Sequence, residues 1–511
     1  MTKTSVLGEE YVSARATPKL VGHLKARDKI HKAIRDDTRS YLVYIYGPGG
    51  IGKTWLIRDI LENPPKGKDI LCAKQLIDLY HIRNNSVSGL IDSLFDALPG
   101  LKTFLRRELK NKDSKKAELE KEGLPLAEII VQGGLIDFFL KTLNKFRGSK
   151  RLIIAIDTAE KLLLAQDHIQ EQLILQDYIP WVILWLVQVL IPALDNTVLI
   201  MAGRPEKNNY LRQEFQKISS KTFLPLQLES LSFNEAQNYF SAIIEAAREE
   251  GDLNTANYLS AITKQERHNV FSHLSSIYSE KEKRGIRPIV VSLAIDYLVT
   301  HNCAIDELIN ILEKGNSVDG FESRLIRSFV EGRRQADDLI LAMALAPKGI
   351  DDSLLAHLHA NGLVAVKGIK KLLLSLKHIS FVKFRPKDKR VFLHDEVLEM
   401  IRSRLWETSQ PRAKAIRREI VNYYKNLINE NRKMIMDDKL EVKARSDVRW
   451  RQIEAQVEYL HYLLDLETGE NIDEYSKYAE QALLSNNEGL DLQLRAELLA
   501  YLERRRAKKL F

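Results

Sequence analysis

Gly47-Pro48-Gly49-Gly50-Ile51-Gly52-Lys53-Thr54 is the stretch best equipped for chemistry in this sequence. It follows the spacing glycine, four residues, glycine, lysine, hydroxyl residue. Glycines let backbone N–H groups turn inward around an anion, and a helix that starts here adds partial positive charge. Lys53 would reach the β- and γ-phosphate oxygens of a nucleotide, and Thr54 would ligate Mg²⁺ through its hydroxyl. Gly47, Gly49, Gly50, Ile51, Gly52 and Trp55 complete the expected cradle.

Three further residues belong to the same chemistry. Asp157 ends the apolar run Arg151 to Asp157, RLIIAID, and is placed to hold Mg²⁺ through water, with Thr54 as the other metal residue. Many ATPases put a second acid immediately after this aspartate to orient the attacking water. Here that position is Thr158, and Glu160 is the nearest acid. Glu160 has two open readings, a catalytic acid or a solvated acid at a helix start. Arg204 follows Thr197 to Gly203, TVLIMAG, and can sense a γ-phosphate by a charge-assisted pair or be an ordinary surface arginine. The missing acid at position 158 argues for slow hydrolysis or a switch.

The elements that must position these groups follow from the apolar pattern. Tyr41 to Tyr46, YLVYIY, is short, β-branched and aromatic, so it reads as a buried strand leading into the glycine loop. Asp69 to Leu76, Arg151 to Asp157, Thr197 to Ala202 and Phe223 to Leu228 read as further strands, with helical stretches between them. Strands alternating with helices predict a parallel sheet covered on both faces. Tyr178 to Leu194 is apolar enough to suggest a membrane span, but Pro180, Gln188 and Pro192 interrupt it. It reads as a helix packed on the sheet, and no membrane partner is expected.

After residue 231 the pattern becomes helical. Ser232 with Glu235 fits a capping box. Between Glu322 and Trp406, helices at Gln335–Leu345, Asp352–Ala360 and Lys370–Leu376 precede strands at Phe381–Phe384 and Val391–Leu393. Three helices plus a hairpin is a winged-helix pattern. Arg412 to Phe511 is helical, with apolar positions such as Ile453, Val457, Leu460 and Leu464. The expected fold is an α/β P-loop NTPase domain with a parallel sheet, then an all-α helical domain, a winged helix and a C-terminal α-helical region. The expected boundaries are a tail over 1–18, nucleotide-binding domain 19–231, helical lid 232–320, winged helix 321–408 and C-terminal region 409–511.

Composition narrows the class. The chain has 511 residues, with 45% hydrophobic and 29% charged, an ordinary globular balance. The formal net charge of +8 permits nucleic-acid contact without arguing for it. Cys72 and Cys303 are the only cysteines, so a disulfide framework is excluded and a reducing, cytoplasmic setting is expected. Met1 to Pro18 holds no apolar signal segment. No Cys/His spacing suggests zinc.

Phosphate loop, Asp157, Arg204 and winged helix, in that order, resemble the STAND NTPases, signal-transduction ATPases that include NB-ARC and NACHT proteins. The resemblance covers about residues 17 to 406. Pro18-Lys-Leu-Val21-Gly22-His23 resembles the family's adenine-holding segment, with His23 where arginine is frequent. Gly285-Ile286-Arg287-Pro288 resembles its GxP motif, whose proline packs on adenine, although Pro at a helix start is also generic. Leu393-His394-Asp395 resembles its MHD motif, whose histidine binds the β-phosphate of ADP; His394 also reads as an ordinary residue before a helix. The resemblance implies ATP and ADP with Mg²⁺ as cofactors and a closed, ADP-bound resting state. A trigger, ligand or protein, on the C-terminal region would permit ATP exchange, opening and homo-oligomer formation. No effector segment is legible before the adenine segment.

Two other readings remain. An initiator-like AAA+ ATPase or DNA-binding regulator also joins an ATPase to a winged helix. Lys367, Lys370, Lys371, Lys377, Lys383, Arg385, Lys387, Lys389 and Arg390 could contact DNA phosphates or form a solvated face. Alternatively the nucleotide is structural and acts by mass action alone.

Overall fold

The computed structural model describes residues 12–13, 19–66, 69–79, 84, 86–109, 126–162, 181–205, 209–278, 285–301, 305–314, 334–376, 379–385, 389–395, 397–398, 401, 411–437, 440, 442–466, 471–484, 490–491, 493–495, 497–498 and 501–502. Its named strands are β1 (Val12–Ser13), β2 (Tyr41–Tyr46), β3 (Ile70–Cys72), β4 (Ile77–Asp78), β5 (Arg151–Asp157), β6 (Thr197–Gly203), β7 (Thr222–Gln227), β8 (Val382–Arg385) and β9 (Arg390–Leu393). The chain forms two compact units. One comprises Met1–Lys29, Gly47–Asp59 and Gln227–Glu419, and the other Ile30–Tyr46, Ile60–Leu226 and Ile420–Phe511.

The second unit is built on a sheet of order β3-β5-β6-β2-β7, with β4 also pairing β5. The pairs β2–β6, β3–β5, β4–β5 and β5–β6 are parallel. Every residue of β5 and β6 is buried, which is why both strands read as continuous apolar runs. On β5 the alternate residues Leu152, Ile154 and Ile156 enter one large core. The helices Val87–Ala97, Leu101–Leu109, Leu126–Gln132 and Ile136–Arg147 contribute to the same core. The expected strand over Asp69 to Leu76 is shorter, ending at Cys72. Ala73 still donates to Ile153 O, then the chain bends and re-pairs as β4.

The apolar stretch that imitates a membrane span is a helix over 181–193, and Trp185, Leu186, Leu190 and Ile191 are buried in that core. Residues 178–180 of the stretch lie outside the described residues. Its middle widens to a π-turn, with Ile191 N–H bonded to Leu186 O just before Pro192, which has no N–H to give. Among the described residues no helix is long and apolar enough to cross a membrane.

In the first unit the capping box forms as expected, Ser232 and Glu235 exchanging hydrogen bonds at the start of helix Phe233–Glu249. Helices Leu253–Ala261, Lys264–Tyr278, Pro288–His301 and Ile305–Lys314 follow. Helices Arg334–Leu345, Asp352–Ala360 and Ile369–Ser375 then lead into the β8–β9 hairpin. Ile350 bridges Val391 and adds a short third pairing to that hairpin. This is the winged-helix arrangement. One feature was not legible: β1, inside the expected tail, pairs antiparallel with β8 along the other edge. Helices Pro411–Ile435, Val442–Asp465 and Asn471–Leu484 make up the C-terminal helical stretch, which from Ile420 onward belongs to the second unit. The expected turn residues 386–388, most of 106–122, residues 322–333 and the basic run 504–509 lie outside the described residues.

A parallel α/β sheet whose second strand runs into the glycine loop, followed by helical and winged-helix parts, is the P-loop NTPase architecture the sequence predicts.

Candidate nucleotide site

In the first unit the loop is held from three sides. Lys53 Nζ donates to the carbonyls of Gly47 (2.7 Å) and Pro48 (2.9 Å). Leu56 N–H bonds Gly52 O, so the helix Lys53–Glu62 begins at the loop's last glycine. Gly52 has φ +97, and a Cβ there would lie 3.3 Å from His23 Nε2 and 3.9 Å from Pro288 Cγ. Only glycine suits that backbone and that approach. A Cβ at Gly47 would meet Leu228 O at 3.1 Å and Ile51 Cγ2 at 3.2 Å. The loop is a cradle of backbone closely walled by its neighbours.

His23 is one of those walls. Its ring Nε2 lies 2.8 Å from Ile51 O, a bond that requires Nε2 to carry the proton and donate. Burial holds the imidazole below its ordinary value of 6.5, against the raising effects of the Ile51 carbonyl and Glu235. His23 is therefore the neutral, donating tautomer. Gly22 before it has φ +80, and a Cβ would meet Leu231 Cδ2 at 2.5 Å. Val21 is half-buried.

Pro288 opens its helix beside the loop, and Ile289 N–H reaches Gly50 O at 3.3 Å. Trp55 meets Tyr239 edge-on at 5.4 Å, and the Tyr239 hydroxyl shares a 2.7 Å hydrogen bond with Ser292 on the Pro288 helix. Asp296, fully buried on that helix, accepts from the backbone and hydroxyl of Ser380 at 2.7 and 2.6 Å. The helix thus links the loop to the segment before β8. His394 is half-buried and follows β9; its N–H donates to Phe381 O at 2.7 Å.

In the second unit the strand ends gather the side-chain chemistry. Asp157 is 6% exposed, and its Oδ1 accepts from Thr158 N–H at 2.8 Å. Glu160, in a short 3₁₀ turn, accepts from Arg204 N–H through Oε2 at 3.0 Å, and its Oε1 lies 3.7 Å from Arg204 Nε. The structure brings the two residues together, an ion pair that neither residue's local sequence foretells. The register aligns Tyr46, the last residue before the loop, with Gly203, the residue before Arg204.

Asp78 is the functional candidate that sequence reading missed. It is 4% exposed, stands in register with Asp157 and accepts from Thr158 Oγ1 at 2.7 Å. Its one trace in the sequence is the pair Ile77-Asp78, a repeat of Ile156-Asp157. The buried Asp157 carboxylate of the second unit and the Thr54 hydroxyl of the first are each hard oxygen donors of the kind Mg²⁺ takes. No group of three or more metal-binding side chains occurs among the described residues.

The chain matches no family model and no curated protein. Among solved structures it is similar to Drosophila ORC bound to DNA, at 16% identity and TM-score 0.33, covering 74% of this chain and 84% of that one. It is similar to the Aeropyrum pernix ORC2 protein in ADPNP-ADP complexes, at 13% identity and TM-score 0.29, covering 76% of this chain and 95% of that one. Cdc6p from Pyrobaculum aerophilum is 11% identical with TM-score 0.31, covering 76% of this chain and 96% of that one. These named neighbours are ORC and Cdc6 proteins rather than STAND NTPases.

Proposed function

We propose that the chain is an adenine-nucleotide ATPase whose bound nucleotide sets the arrangement of its helical and winged-helix parts. The observation that carries this reading is the glycine cradle of Gly47 to Lys53, walled by His23 and Pro288. Binding would replace the Gly47 and Pro48 carbonyls by phosphate oxygens as partners of Lys53. Bound Mg²⁺ would supply charge neutralisation at the phosphates, with Thr54 and Asp157 to hold it. Arg204 would meet charge on the γ-phosphate, and its pairing with Glu160 makes Glu160 the holder of that arginine. A carboxylate whose two oxygens face the Arg204 N–H and guanidinium is turned toward that residue and not toward an attacking water, which agrees with slow turnover.

A nucleotide-driven switch requires ATP and ADP to favour different arrangements. The Pro288 helix gives a physical route, since it touches both the loop and, through Asp296, Ser380. The test is the nucleotide content of the purified protein, followed by release on denaturation. Near-stoichiometric ADP supports a locked resting state of the STAND kind, in which His394→Ala would speed exchange. An empty site that neither binds nor hydrolyses ATP sinks the proposal.

A second reading concerns the output. Lys370 and Lys371 are exposed on the third helix of the winged helix, Lys367 lies exposed just before it, and Lys389 is exposed in the wing. The initiator-like reading puts this surface on duplex DNA; the similar Drosophila ORC structure is of that protein bound to DNA. Arg385 and Arg390 are less available, the first stacked on Phe392 and the second reaching Lys348 O. Lys377 and Lys387 lie outside the described residues. Anisotropy of a labelled duplex across a salt series decides it. Each lysine withdrawn from a DNA phosphate should lower the log–log salt slope by about 0.9, so Lys370→Glu with Lys371→Glu should lower it by roughly 2. Absence of binding at low salt removes this output.

A further inference from the structure

We propose that Asp78 and Thr158 form a positioning relay that fixes the carboxylate of Asp157 for the metal ion; this rests on the ATPase reading above. Asp78 closes β4 and Asp157 closes β5, and the parallel register pairs the two residues. Paired positions on neighbouring strands send their side chains to the same face, about 5 Å apart. Two carboxylates at that spacing, both more than nine-tenths buried, repel each other unless something lies between them.

Thr158 is that something. Its hydroxyl donates to Asp78 Oδ1 at 2.7 Å, and its N–H donates to Asp157 Oδ1 at 2.8 Å. To do both it adopts φ +61, a left-handed backbone that β-branched residues avoid. The network extends behind Asp78. Asn84 Nδ2 donates to the Asp78 carbonyl at 2.6 Å, and Ser93 Oγ donates to Asn84 Oδ1 at 2.6 Å. Asn84 and Ser93 are 3% and 4% exposed, and Ser93 lies on helix Val87–Ala97. From Ser93 to Asp157 this is one chain of hydrogen bonds, buried at Ser93 and Asn84 and part-buried where Thr158 joins Asp78 and Asp157.

Stability alone does not call for such a chain at a strand end. Apolar side chains of similar shape would fill such a site without burying two carboxyl groups. What the chain does achieve is to fix Oδ1 of Asp157 by the Thr158 N–H, which sets the direction of Oδ2. Outer partners of a metal-binding carboxylate commonly set its orientation, and losing one typically lowers metal affinity 10- to 100-fold. The sequence departs from many ATPases by carrying threonine where a second acid follows the metal-binding aspartate. Asp78, arriving from the neighbouring strand, restores an acid to that place and acts through the threonine.

The experiment measures Mn²⁺ affinity by electron paramagnetic resonance on the full chain with a non-hydrolysable ATP analogue. Nucleotide affinity in chelator and thermal melting are measured beside it. Asp78→Asn and Thr158→Val should each weaken Mn²⁺ binding roughly tenfold or more while metal-free nucleotide affinity stays within about twofold. Thr158→Ser keeps the hydroxyl bond and should restore most of the affinity. If Asp78→Asn does not fold, the Thr158 pair carries the test by itself. Mn²⁺ affinity unchanged in folded Thr158→Val overturns the relay and leaves the ATPase reading intact. A wild-type chain that binds neither the analogue nor Mn²⁺ with it overturns both.

Discussion

The glycine loop and the ends of β5 and β6 are built from opposite materials. The loop works with backbone. Its shape depends on absent side chains: Gly52 holds φ +97, a conformation strained for any other residue, and a Cβ there would press on His23 Nε2 at 3.3 Å. The strand ends work with side chains, and those come from far apart in the sequence: Asp78, Asp157, Thr158, Glu160 and Arg204. A backbone cradle is contiguous, so its shape is set by one short stretch of chain. A side-chain cluster is only as good as its strand register. Mutations in the loop should therefore cost binding, and mutations at the strand ends should cost chemistry.

The largest effects test that division directly. Lys53→Ala removes charge-assisted hydrogen bonds to phosphate, each worth about 1.5–3 kcal/mol. Two such bonds predict a loss of ATP affinity of roughly two to four orders of magnitude by calorimetry, with little change in melting temperature. Asp157→Asn should leave affinity in chelator within a few-fold and lower kcat about 10²- to 10³-fold, in the range of removing one transition-state interaction. If Asp157→Asn abolishes metal-free binding as well, the division between the two regions fails.

A middle-sized effect separates the roles of Glu160. Glu160→Gln keeps an acceptor for the Arg204 N–H, whose present bond is 3.0 Å, and removes the charge opposite Arg204 Nε. As a holder of Arg204, Glu160 should lose no more than about tenfold in kcat, since half-exposed ion pairs are worth roughly 1 kcal/mol or less. Arg204→Ala should cost more, and the double variant should cost no more than Arg204→Ala alone. A fall of about 10³-fold in Glu160→Gln with Arg204 intact would restore the catalytic-acid reading.

The same contrast explains what the sequence disclosed. The loop, the strand pattern and the capping box at Ser232 are local, and local rules of spacing and periodicity suffice for them. The helix through Trp185 was legible because a fully buried helix lacks the long uninterrupted span of a membrane segment. Asp78 was not legible because its meaning arises from pairing with a residue far along the chain, and β4 is only Ile77–Asp78. The Glu160–Arg204 pair was hidden for the same reason, since each residue taken alone carries no sign of the other. Nor did anything in Val12–Ser13 announce that it would pair with Phe384 and Lys383 on the wing. Strand addition is specified by the partner's open edge, which no short sequence pattern describes.

The smallest effect refines the account of the loop's wall. His23 is half-buried beside Ile51, and burial holds its imidazole below the ordinary value of 6.5. In the unfolded chain the ring takes up a proton first, so across the window below about 6.5 the unfolded state binds more protons than the folded one. The stability His23 contributes is thus complete above that value and is lost as pH falls through the lower, folded value. His23→Gln retains an N–H for the Ile51 carbonyl and has nothing to titrate. Between about pH 7.5 and pH 5.5 the wild type should lose more melting temperature than His23→Gln, and the two curves should run parallel at higher pH. Parallel curves throughout would mean that the ring protonates equally in both states. The loop's wall would then be open to water, and the contrast between a closed backbone cradle and a register-built cluster would lose its first half.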